Sequence, residues 1–135
     1  MAPARLILIV EDDTDNREGY AEYLTYLGYR VAQAADGESA LKAARRLHPD
    51  VILLDLALPV LDGWEVARQV KSDPRTRDIL VVALSACVFP SDVKRATSSG
   101  CDLFLDKPCY PQTVADEIQR LIVARDATSS ATGTS

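Results

Sequence analysis

"VILLDLALPVLDGWE", residues 51–65, sets four apolar residues ahead of Asp55 and returns at once to apolar residues. The run is too short for a buried helix and has no polar alternation, so it reads as a strand covered on both faces. A carboxylate at the end of such a strand is costly unless something pairs with it. Two other runs have the same character: "RLILIV" (5–10) and "ILVVALS" (79–85). "YRVAQA" (29–34) and "DLFLD" (102–106) are more polar strand candidates.

Helical patterns separate these runs. Tyr20, Tyr23, Leu24 and Leu27 recur on one helical face, and Gly28 stops that helix. Asp36 can cap a second helix with Ala40, Leu41, Ala44 and Leu47 inward, ending at His48 before Pro49. Asp62 can cap a third, with Val66, Ala67 and Val70 inward. A Ser/Thr-rich segment, 91–99, offers only Val93 and Ala96 to one face and predicts a weak fourth helix closed by Gly100. Pro111 suits the first position of a fifth, with Val114, Ile118, Leu121 and Ile122 inward. Five strand–helix units predict an α/β fold, a doubly wound parallel sheet of five strands with helices on both faces. The three apolar strands belong in the centre and 29–34 at an edge, which fits strand order 2-1-3-4-5. The expected domain is residues 1–124, and 125–135, "RDATSSATGTS", reads as a polar, disordered tail.

Composition narrows the function. Fifteen Lys and Arg against 20 Asp and Glu give a net charge of −5, which disfavours nucleic acid as a partner. No apolar run approaches the roughly 20 residues a membrane span requires. "MAPARLILIVEDD" is too short and too strand-like for a signal peptide, so no membrane is expected and the expected location is cytoplasmic. Cys87, Cys101 and Cys109 are odd in number and predict no disulfide framework, and the single histidine, His48, predicts no zinc site.

In open α/β sheets ligands bind at the carboxyl ends of the strands. The first strand ends in Glu11, Asp12 and Asp13, the third in Asp55, the fourth in Ser85, and the fifth in Asp106, Lys107 and Pro108. Strands one and three are expected to be neighbours, so up to three carboxylates converge. Like charges that close need a shared proton or a cation. Lys107 supplies one positive charge, and an all-oxygen cluster suits Mg²⁺. Asp55 can then act as a nucleophile toward phosphorus, with Lys107 and Ser85 contacting phosphoryl oxygens. Asp13 reads equally well as the N-cap of the first helix, and Phe104, between Leu103 and Leu105, as core.

These residues resemble the receiver domain of two-component response regulators, most of all the stand-alone kind. "LIVEDD" resembles the family's acidic motif, "LLDLALPVLDGWE" its phosphoacceptor motif with Pro59 and the Asp62-Gly63 pair, "ALSA" its Ser/Thr motif and "FLDKP" its Lys-Pro motif. The likeness runs from residue 5 to about 124 and implies the flavodoxin-like form of this sheet. By that resemblance Asp55 is the phosphoacceptor, and Glu11, Asp12, Asp55 and the backbone carbonyl of Ala57 hold Mg²⁺, which Mn²⁺ could replace. Asp12 would bind the ion directly and Glu11 through water, a pairing that the register of Arg17 favours over Asp12-Asp13. Ser85 and Phe104 are the switch pair, Lys107 contacts the phosphoryl group, and Lys107-Pro108 carries a cis peptide. Ala57 and Cys87 occupy positions whose side chains, in this family, tune the attack of water on the acyl phosphate.

The implied partners are a histidine kinase or histidine phosphotransfer protein as donor, and a downstream target protein. The target would dock on the face made by the fourth helix, fifth strand and fifth helix, with the chain a monomer or weak dimer. Phosphorylation would repack that face, with segment 91–99 as its mobile part. The implied chemistry is Mg-dependent self-phosphorylation and self-dephosphorylation, without an enzyme's turnover of other substrates. An aspartyl phosphatase would carry a second acid two residues after its nucleophile, where this chain has Ala57. A flavin module would need a Ser/Thr/Gly-rich phosphate loop where this chain reads "EDDTDN". A receiver that serves only as a scaffold would not need every one of these positions filled. The apolar loop Val88-Phe89-Pro90 lies beside the expected site, as a partner contact or a buried turn.

Overall fold

Strand-forming runs that lack polar alternation must be covered twice, and the architecture does this. The computed structural model describes residues 4–58, 63–85, 100–107 and 109–133, with side chains as far as Ala127. In chain order these form β1 (Leu6–Val10), α1 (Thr14–Tyr26), β2 (Arg30–Ala34), α2 (Gly37–Leu47), β3 (Val51–Asp55), α3 (Gly63–Ser72), β4 (Leu80–Ser85), β5 (Leu103–Asp106) and α4 (Pro111–Gly133). The five strands are parallel in the order β2-β1-β3-β4-β5. The three all-apolar strands are the central ones, as expected, and every residue of β3 and β4 is buried.

Successive side chains of a strand point to opposite faces, so each central strand feeds two cores. Leu8, Val10, Ile52, Leu54, Val81 and Ala83 pack with α2 and α3. Ile7, Ile9, Val51, Leu53, Val82 and Leu84 pack with α1 and α4. The registers Val10↔Leu54 and Ser85↔Asp106 bring the carboxyl ends of the strands to one rim.

The helices start and stop on local signals. Asp13 caps α1 by accepting from the Asn16 N–H at 2.9 Å, and Asp36 caps α2 by accepting from Ser39 at 2.8 Å. Gly28, just past α1, has φ 101°, a left-handed conformation that suits glycine. His48 ends α2, its N–H donating to the Ala44 carbonyl at 3.0 Å. Asp62 as the cap of α3, the helix at 91–99, the Val88–Pro90 loop, Pro59, Cys87 and the Lys107-Pro108 peptide lie outside the described residues.

Three expectations need correction. Leu27 and Leu47 are exposed, at 47% and 37%, because each sits at or just past its helix end, where the face turns away from the sheet. Residues 125–133 are not an irregular tail: the backbone of α4 stays helical through Gly133. Charge at the opposite rim from the acids holds the start of this extension. Arg5 meets Asp126 at 2.5 Å and Asp50 at 3.4 Å, and Arg125 donates to the Asp78 carbonyl at 3.2 Å. Once a helix is anchored, adding a residue fixes few torsions for each bond gained.

Gly63 couples the packing to the carboxyl rim. A Cβ built there would stand 2.5 Å from the Leu56 Cα and 2.6 Å from the Asp55 carbonyl oxygen. The start of α3 is thus pressed directly on the strand end that carries Asp55. Gly63→Ala is expected to destabilise the fold by about 1–3 kcal/mol through this overlap. Urea denaturation measures it; a midpoint equal to wild type would show that the two backbones can part freely.

Candidate functional site

The ladder itself delivers the acids. Glu11 follows β1 and continues its pairing, its N–H donating to the Ala34 carbonyl at 3.1 Å. That geometry turns the Glu11 side chain into the rim, where it is 2% exposed. Asp12 stays exposed. Asp55, the last residue of β3, is 3% exposed, and the N–H of Ala57 donates to its Oδ1 at 3.0 Å. One oxygen from each of Glu11, Asp12 and Asp55 lies within 4.8 Å of the others.

Lys107 closes the site from β5. Its N–H donates to the Ser85 carbonyl at 2.8 Å, which continues the β4–β5 ladder by one residue. Its Nζ then reaches Asp55 Oδ2 at 2.9 Å and Glu11 Oε1 at 3.2 Å. Ser85 ends β4 and is buried. Phe104 is half-buried opposite Ala83 and packs on the core shared with α2 and α3, one turn of strand from the rim. Asp13 points away into its capping role, so the acids that converge are Glu11 and Asp12 with Asp55.

The contacts of two residues were not read from sequence. Arg17 donates to the Glu11 carbonyl at 2.9 Å and to Gln33 Oε1 at 3.1 Å, pinning the first acid's backbone to α1. Tyr20 donates its hydroxyl to the Cys109 carbonyl at 2.8 Å, across 89 residues of chain. The apolar periodicity of α1 marks Tyr20 as inward, and nothing local marks where its oxygen goes.

The charges account for the titration behaviour. Two bare carboxylates at 4.8 Å, the upper limit of the separations here, repel by roughly 3 kcal/mol at an effective dielectric constant of about 20. That is worth about two pKa units. Burial, the hydrogen bond to Asp55 and the charge of Asp55 push Glu11 up to about 7, with Lys107 opposing. Burial also pushes Asp55 up, but hydrogen bonds from Glu11, the Ala57 N–H and Lys107 outweigh it and hold Asp55 below the usual carboxylate range. The proton shared by the pair therefore sits on Glu11. Partial burial pulls Lys107 down, but its bonds to both carboxyls outweigh this and keep it charged. Asp55 is the ionised acid of the pair, with a fixed cation on one oxygen. The all-oxygen donor set, with one exposed and two buried members, fits a hard divalent ion that keeps some of its water.

The family model of the response regulator receiver domain matches residues 7–119. The chain is similar to the polar-differentiation response regulator DivK of Brucella ovis, 35% identical over 102 residues, 76% of this chain and 83% of that protein. It is also similar to the chemotaxis response regulator CheY4 of Vibrio cholerae, 29% identical with TM-score 0.81, covering 87% of this chain and 98% of the other. The receiver domain of a sensor histidine kinase from Pseudomonas aeruginosa, with a magnesium ion coordinated in its active-site cleft, is 34% identical with TM-score 0.79, covering 87% and 96%. Among the described residues no helix is long and apolar enough to cross a membrane.

Glu11 gives the site a pH signature. It keeps its proton up to about pH 7 when folded, against 4.5 for its ordinary value. The folded chain then holds the extra proton, so stability falls as pH rises between those values. Carboxyls held low, such as Asp36 and Asp55, are ionised in both states across that window. In chelator, the melting temperature is expected to fall from about pH 5 to about pH 8, and Mg²⁺ is expected to reduce the fall by offsetting the charge. Thermal melts in both conditions check this, with Glu11→Gln flattening the slope. A melting temperature that climbs with pH in chelator would contradict it.

Proposed function

Because this chain belongs to the response regulator receiver domain family, whose model spans residues 7–119, we propose that it takes a phosphoryl group onto Asp55 and signals through the change this makes. One observation carries the reading. Asp55 is a buried carboxylate at the sheet rim, with Lys107 Nζ 2.9 Å from one oxygen and two further acids beside it. Glu11, Asp12, Asp55 and the Ala57 carbonyl are the groups that would hold Mg²⁺ or Mn²⁺. When bound, that ion would supply positive charge against the phosphoryl oxygens and the transition state.

The residues act in sequence. A phosphohistidine on a histidine kinase or phosphotransfer protein presents phosphorus in line with an Asp55 carboxylate oxygen. The Asp55 oxygen–phosphorus bond forms as the phosphorus–nitrogen bond breaks, and its electron pair returns to the imidazole. Lys107, held charged at the rim, exchanges its contact with the carboxylate for one with a phosphoryl oxygen. Ser85, buried at the end of the neighbouring strand, would supply a hydroxyl to another oxygen, and Phe104, half-buried on β5, would follow into the space released. Water later attacks phosphorus as the Asp55 oxygen–phosphorus bond breaks, releasing inorganic phosphate and restoring the Asp55 carboxylate. Ala57 offers no acid to speed that step or to turn over other phosphate esters, which supports a signalling protein rather than an enzyme.

Output then runs through protein contacts on the face that includes β5 and α4, with a target protein as partner and the chain a monomer or weak dimer. A net charge of −5 supports neither nucleic acid nor an acidic membrane surface as that partner. A cytoplasmic location agrees with a kinase as donor.

Mass spectrometry after incubation with acetyl phosphate and Mg²⁺ tests the central step. Wild type is expected to gain one phosphoryl mass, lost with chelator and absent in Asp55→Asn. A phosphoryl increment that persists in Asp55→Asn would place the chemistry elsewhere.

A further inference from the structure

Lys107 acts from an exposed edge. β5 is the outermost strand and only four residues long, and Asp106 and Tyr110 on either side of Lys107 are exposed. On the sheet side the turn is held by the Lys107 N–H on the Ser85 carbonyl. On the other side it faces a hollow of about 490 Å³ lined by Asp15, Asn16, Gly19 and Tyr20 of α1 and by Lys107, Cys109, Tyr110 and Pro111. Gly19 leaves this hollow open: a Cβ there would meet nothing within 4 Å. At Gly19 no side chain fills the space between α1 and the turn, although Cys109 packs against the core that Tyr20 belongs to.

One polar contact spans the gap. Tyr20, 7% exposed with its ring in the core, reaches the Cys109 carbonyl at 2.8 Å, and among the described residues this is the hydrogen bond joining α1 to the turn. Burial and the charge of Cys109 raise the Tyr20 pKa, so its hydroxyl stays protonated and able to donate. The anchored carbonyl lies two residues beyond Lys107. We propose that Tyr20 is a positioning residue for phosphoryl acceptance: its hydroxyl fixes the turn that aims Lys107 at Asp55. This rests on the acceptor reading above and adds a residue that contributes no metal ligand and touches no reacting atom.

Two different losses separate this role from simple packing. Tyr20→Phe keeps the ring and removes the bond. It is expected to slow phosphorylation by acetyl phosphate about three- to tenfold, the range one neutral hydrogen bond supports. Mg²⁺ affinity by calorimetry is expected not to fall, because Glu11, Asp12 and Asp55 are carried by β1 and β3 and not by the turn, and a loosened Lys107 only removes a competing cation from Glu11 and Asp55. The decisive readout is the double-mutant cycle: in a Lys107→Ala background, Tyr20→Phe is expected to cause no further slowing. An unchanged rate in Tyr20→Phe, an equal loss in both backgrounds, or a parallel loss of Mg²⁺ affinity would each overturn the positioning role. A wild-type chain that takes no phosphoryl group from acetyl phosphate would instead overturn the acceptor reading, and this inference with it.

Discussion

The site depends on one ammonium group. Lys107 Nζ sits between Asp55 at 2.9 Å and Glu11 at 3.2 Å, both of them almost wholly buried. Without it, two carboxyls would face each other in a poorly solvated cleft with only a proton to divide between them. With it, one carboxyl can be ionised and the other neutral. That asymmetry, set by geometry and not by residue type, holds Glu11 toward its protonated form and Asp55 toward its ionised one.

The sheet makes this arrangement possible because its register is tightly specified. Both faces of every central strand are buried, so a one-residue slip would turn apolar side chains to the wrong layer throughout. Val10 opposite Leu54 places Glu11 beside Asp55, and Ser85 opposite Asp106 places Lys107 one step past the ladder. The acids, the hydroxyl and the lysine meet because hydrophobic packing elsewhere leaves their strand ends no other alignment. The core stabilises the fold, and the rim carries crowded negative charge of the kind a divalent cation offsets.

The layering extends to the helices, and there the limits of local pattern are visible. Leu27 and Leu47 continue an apolar periodicity past the point where the sheet can cover them. The sequence beyond Arg125 shows no apolar periodicity, yet the backbone remains helical through Gly133, with Arg5, Asp50 and Asp126 linked near its start. Those partners are far apart in the chain, so composition alone reads the segment as unstructured. Asp13 shows the reverse: the capping pattern just before α1 identifies its role locally, and it is a cap.

By itself the sequence determined the five strands, their order and the rim at which chemistry gathers. Unalternating apolar runs and capped helical faces are local signals, and one parallel arrangement satisfies them all. It also determined the acids, hydroxyl and lysine as a set, since each follows directly on a strand. Only the tertiary structure decided which carboxyl keeps the proton, and that Tyr20 reaches across a hollow to the turn beyond Lys107. Those outcomes depend on distances of a few ångströms between residues 52 to 96 positions apart, set when the whole sheet closes and not before.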